Sequence, residues 1–71
     1  MAIERRYANY LQVGHNALEI ALEFGQVHQG SSGPLIHSAV ITSPAYAKQF
    51  LRTLEDSIAA YERQYGVIPE T

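Results

Sequence analysis

Large apolar residues recur along this chain at two intervals, and the change of interval separates strands from one helix. From Tyr7 to Val13, Tyr7, Leu11 and Val13 share one parity with Asn9 interrupting, while Ala8, Tyr10 and Gln12 take the other. That two-residue period, with two β-favouring tyrosines, predicts a strand. Gly14, His15 and Asn16 follow, and Gly and Asn both tolerate the positive φ of a tight turn, so a hairpin is expected there. From Ala17 to Val27, Leu18, Ile20, Leu22 and Phe24 alternate with Glu19, Ala21, Glu23 and Gly25. Ala, Leu and Glu also favour helix, so two readings compete. A helix sets Glu19 four residues from Glu23, a like-charge pair costing about 0.2–0.5 kcal/mol, and spreads the apolar side chains around its axis. A strand puts every large apolar residue on one face, and the hairpin gives it a partner, so the strand reading is favoured.

Gln26 to Pro34 is rich in Gly and Ser and predicts a loop, flexible over residues 28–34. Leu35 to Thr42 alternates again, with Leu35, His37, Ala39 and Ile41 on one face and Ile36, Ser38, Val40 and Thr42 on the other; its β-branched content predicts a third strand. The helix signal comes next. Ser43 is a capping residue, and Pro44 fits the first helical position because its missing N–H is not needed there. At 100° per residue, Tyr46, Ala47, Phe50, Leu51, Leu54, Ile58, Tyr61 and Tyr65 fall within an arc of roughly 140°. Lys48, Arg52, Glu55, Asp56, Glu62 and Arg63 occupy the rest, and Gly66 with Pro69 supplies a left-handed stop. At ~1.5 Å per residue such a helix is about 33 Å long, enough for its ends to overhang a small sheet.

The expected organisation is one α+β domain over residues 1–71: an N-terminal arm (1–6), three antiparallel strands within 7–42, a helix (43–66) and a tail (67–71). One helix covers one face of such a sheet, leaving the other to be polar or covered by a partner. Ala8, Tyr10, Ala21, Ile36 and Val40 make that second face only partly polar. Chain length sharpens the point, because 71 residues make a thin core for a monomer. A homodimer or larger homo-oligomer is therefore expected, with another protein as a further partner.

Composition removes several function classes. The chain has no cysteine, which excludes a disulfide framework or thiolate metal site and favours a cytoplasmic location. No apolar run approaches a membrane span or a signal segment, so a soluble protein with no membrane partner is expected. The formal charge is −2, opposite in sign to the footprint of nucleic-acid binding, which is disfavoured.

The residues Tyr7-Ala8-Asn9-Tyr10, Phe24-Gly25-Gln26 at a strand end, Thr42-Ser43-Pro44 before Ala47-Lys48, Leu51 to Leu54, Tyr61-Glu62 and Tyr65-Gly66 together resemble a family of small bacterial and archaeal proteins catalogued as domain of unknown function number 3467. The resemblance runs from Tyr7 to Ile68. It implies a strand over Ala17 to Val27 and no established activity, cofactor or catalytic residue.

The candidate chemistry is sparse. His15, His28 and His37 fall in a turn, a loop and a strand without the close spacing of metal ligands, so no metal or cofactor is expected; only two copies of His37 across a symmetric dimer would merit a metal test. Glu19 and Glu23 share a strand face and suit an acid and base pair, but they lack an accompanying nucleophile and read as a solvated face. Gly30-Ser31-Ser32-Gly33 lacks the Lys and spacing of a phosphate loop. No catalytic residue is assigned, and the chain reads as a non-enzymatic interaction or assembly module. Its self-association interface is expected to use Tyr10, Ile36, Val40, Tyr46, Tyr61 and Tyr65, since tyrosines suit half-wet contacts. The alternative is a small nucleic-acid-associated regulator using Arg5 and Arg6 beside Tyr7 and Tyr10.

Overall fold

The computed structural model describes residues 2–70; Met1 and Thr71, the outermost residues of the expected arm and tail, lie outside them. Three strands, β1 (Tyr10–His15), β2 (Ile20–Gln26) and β3 (Leu35–Thr42), precede one helix, α1 (Pro44–Tyr65). The strands form one sheet in the order β1-β2-β3, with both pairings antiparallel. The architecture is α+β, and Ala17 to Val27 contributes a strand, not a helix.

The first hairpin turns two residues later than the Gly14-His15-Asn16 signal predicts. Gly14 and His15 pair with Ala21 and Ile20 inside the ladder. Asn16 makes the turn with its side chain: Oδ1 accepts from the N–H groups of Leu18 (2.8 Å) and Glu19 (3.0 Å), an Asx turn that substitutes for backbone geometry. Asn9, the interruption in the alternation, has a similar task. Its Oδ1 accepts from the Val27 N–H (2.8 Å) and its Nδ2 donates to the Val27 carbonyl (3.1 Å). An amide side chain thus extends the β1–β2 pairing past its last backbone pair.

The register sorts the sheet into two faces. Leu11–Phe24, Val13–Leu22–Val40 and His15–Ile20–Thr42 form rows across one face, since directly paired residues point the same way. The other face carries Gln12–Glu23–Ala39, Gly14–Ala21–Ile41 and Tyr10–Gly25–Ile36. A bulge interrupts β3: Phe24 pairs with Ser38 and Gly25 with Ile36, which leaves His37 without a place in the ladder. A bulge re-aims the extra side chain and reverses the faces of the residues before it. Ile36 joins Ala39 and Ile41, and Leu35 lies opposite Gln26 on the Phe24 face, the reverse of the expected alternation, while His37 lies beside Ser38. Gly25 is buried at this point. A Cβ there would overlap the Leu35 carbonyl oxygen and lie 3.0 Å from Ile36 Cα, so the close crossing of β2 and β3 requires glycine.

The helix ends behave as their residues dictate. Ser43 Oγ accepts from the Tyr46 N–H at 3.1 Å, and Gly66 donates its N–H to the Glu62 carbonyl at 2.9 Å. Gly66 sits at φ 101°, ψ 167°, outside the left-handed helical region of the expected stop and in a region essentially reserved for glycine.

The helix does not lie across the sheet. Close packing joins β1 with β2 and β2 with β3, whereas α1 packs closely along none of the strands. The cause is the connection. Only Ser43 separates Thr42 from Pro44, and it is extended at φ −74°, ψ 153°, as a residue before proline must be. Folding a helix back over its own sheet ordinarily takes a loop of about 2–6 residues. The expectation that α1 covers one sheet face within its own chain is therefore corrected. Among the described residues no hydrophobic side chain is buried. The radius of gyration is 14.7 Å, against the ~11 Å of a compact chain this long.

Candidate functional site

Two apolar surfaces stand open as a result. One is the β1–β2–β3 face carrying Leu11, Val13, Leu22, Phe24 and Val40; the other is the α1 stripe. They converge only where the helix leaves the sheet. Leu22, Phe24 and Val40 from the sheet, with Tyr46 and Phe50 from the first turns of α1, line an apolar hollow of 240 Å³. Beyond it, Leu51, Leu54 and Ile58 remain 56%, 46% and 42% exposed. Exposed residues at this spacing form a continuous apolar stripe along α1, not scattered singles.

The structure divides the expected interface residues. Val40 and Tyr46 meet in the hollow. Tyr61 and Tyr65 stack against each other at the far end of α1, with ring centroids 4.9 Å apart and planes tilted by 48°. Tyr10 and Ile36 flank Gly25 on the opposite sheet face, so the six do not make one surface. Leu22, Phe24, Phe50, Leu51, Leu54 and Ile58, which alternation and helical spacing place on the apolar faces of β2 and α1, join the site as well. Their signal lay in the alternation of β2 and the helix spacing, but sequence periodicity marks an apolar face without saying which molecule covers it.

A second hollow, of 480 Å³, lies between the N-terminal arm and the bulge and is lined by Glu4, Arg6, Ala8, Phe24, His37 and Ser38. Here His37 Nε2 lies 2.9 Å from the Tyr7 carbonyl and Nδ1 lies 2.7 Å from Ser38 Oγ. A carbonyl only accepts, so Nε2 donates; in the neutral ring Nδ1 then accepts from the serine hydroxyl. A hydroxyl within reach of an oriented imidazole has the outline of a nucleophile and base. Here both ring nitrogens are engaged, Nε2 in fastening the arm at Tyr7 to β3 and Nδ1 in the bond to the neighbouring Ser38.

Arg6, one of the alternative nucleic-acid contacts, pairs with Glu4 at 2.7 Å, which cancels its charge locally; Arg5 is exposed. His15 ends β1, while the His28 carbonyl accepts from the Ser31 N–H and hydroxyl. Among the described residues no three His, Asp or Glu side chains gather to hold a metal ion. Glu19 belongs to the Asn16 turn and Glu23 to β2, and no helix among these residues is long and apolar enough to cross a membrane.

No curated protein and no solved structure matches the chain. A family model described as a protein of unknown function, DUF3467, matches residues 2–70, and the chain belongs to that family.

Proposed function

We propose that this DUF3467 family member is a non-enzymatic interaction module whose working form is a homodimer or larger homo-oligomer. The observation that carries this reading is the pair of apolar surfaces that one chain leaves open. The exposed surface is 6439 Å² for a 7.9 kDa chain, about 2,000 Å² more than the ~4,400 Å² of a compact monomer of that mass. A standard interface buries about 800 Å² per partner, so the excess is ample for one. Its expected compartment is the cytoplasm, in keeping with a chain that has no cysteine to staple so thin a core.

Absolute mass by light scattering across a dilution series, with and without a mixed DNA and RNA ligand at low salt, tests the proposal. A dimer or larger assembly whose mass ignores nucleic acid supports it. A monomer that gains mass only with nucleic acid replaces it with the regulator reading, against which the Glu4–Arg6 pair and the net charge now weigh.

A further inference from the structure

Along α1, Ala47, Leu51, Leu54, Ile58, Tyr61 and Tyr65 are spaced by four, three, four, three and four residues. This is the 3.5-residue repeat of a coiled-coil seam, and the five large residues are all exposed. We propose that the seam takes α1 of a second copy of this chain, running antiparallel, so that the inference rests on the self-association reading and specifies its geometry.

Two features favour a second copy in this direction. The first is size. Antiparallel alignment sets Ala47 against the partner's Tyr65, Leu51 against the partner's Tyr61 and Leu54 against the partner's Ile58, pairing small with large, as interdigitating layers require. Parallel alignment stacks Ala47 on its own copy at one end and Tyr65 on its own copy at the other, leaving a gap and a clash. The second is charge. One flank of the seam carries Lys48, Glu55 and Glu62 at seven-residue intervals, and the other carries Phe50, Ser57 and Gln64.

Reversing one helix brings Lys48 to the partner's Glu62 twice, at the two ends, with the two Glu55 side chains meeting at the solvated centre. In a parallel pair this flank faces the uncharged one, and no ion pair forms. Glu62 keeps a free carboxylate oxygen for the contact, since only Oε2 accepts from the Ile68 N–H at 2.7 Å.

The antiparallel direction also accounts for the hollow. The partner's Tyr65 arrives beside Ala47, next to Tyr46 and Phe50, and its aromatic ring enters the space lined by Leu22, Phe24 and Val40. Each helix end thereby covers part of the sheet face that its own chain leaves bare.

Cysteine cross-linking reads the direction, and the chain has no native cysteine to interfere. Ala47→Cys and Tyr65→Cys chains, one tagged to differ in mass, are oxidised alone and as a refolded mixture. The expected product is a mixed disulfide in the mixture and none from either variant alone, because like positions lie ~27 Å apart in the antiparallel pair. A homodisulfide of Tyr65→Cys, or a dimer that forms no mixed disulfide, overturns the antiparallel seam and leaves self-association standing; a monomeric parent chain overturns both.

Charge reversal supplies a second readout that leaves the seam intact. Lys48→Glu and Glu62→Lys each weaken self-association roughly tenfold, while mixing the two variants restores it through a heterodimer with both end pairs complementary. Equal affinity in the mixture and in the single variants contradicts the proposed alignment.

Discussion

Replacing Gly25 by alanine tests the crossing that holds β2 against β3. The added Cβ would overlap the Leu35 carbonyl oxygen and lie 2.9 Å from the Leu35 carbonyl carbon and 3.0 Å from Ile36 Cα. All three are backbone atoms, so no side chain can swing aside. Relief requires β3 to retreat at its bulge and stretch the ladder from Gly25 to Ile36. Overpacking of this kind costs about 1–3 kcal/mol, and the upper half of that range applies because the obstacle is main chain. For a domain this small each kcal/mol moves Tm by ~4–8 °C, so Gly25→Ala is expected to lower Tm by roughly 10–20 °C. The assay is thermal unfolding by circular dichroism at one fixed protein concentration, since association also shifts Tm. Gly14→Ala is the internal control: its Cβ meets nothing within 4 Å, and it should unfold at the parent temperature or slightly above, from reduced freedom of the unfolded chain. A Gly25→Ala chain that melts within 2 °C of the parent, on the order of a quarter kcal/mol, would refute the reasoning.

Three further outcomes follow from the same contacts. Asn9→Ala removes both side-chain bonds to Val27 and should cost about 1–2 kcal/mol in denaturant unfolding, with Asn9→Asp, which keeps the acceptor, falling between variant and parent. Ser43→Ala deletes the cap on Tyr46 and should destabilise by about 1 kcal/mol, read as a lower denaturant midpoint with faster amide exchange in the first turn of α1. His37→Ala releases the Tyr7 carbonyl, so trypsin should cut after Arg5 and Arg6 several-fold faster in the variant; an unchanged rate would show that the arm is held by other contacts.

How much of this was legible beforehand depended on whether a residue acts through its backbone preference or through its side chain. Ser43, Pro44 and Gly66 act through local rules, and α1 begins and ends where they place it. The limits of β3 also agree with its β-branched run. Asn9 and Asn16 act through side-chain amides that imitate main chain, so a pattern of apolar and polar positions registers one as an interruption and puts the turn two residues early. His37 escaped because a bulge breaks the two-residue period by which its face was assigned. The larger miss concerns α1. Helical spacing marks its apolar face, but periodicity is the same whether a helix covers its own sheet or another chain. The one-residue connection between Thr42 and Pro44 was the available clue, and together with the rule for residues before proline it argues against folding back.

Under the proposed self-association a chain completes its core only with another copy, and unfolding followed across concentration tests this most directly. If folding requires association, Tm rises with protein concentration, and on dilution the α1 and sheet signals are lost together with the drop in mass seen by sedimentation. A chain that keeps one Tm over a thousandfold dilution, and stays folded as a 7.9 kDa monomer, would contradict the account at its centre.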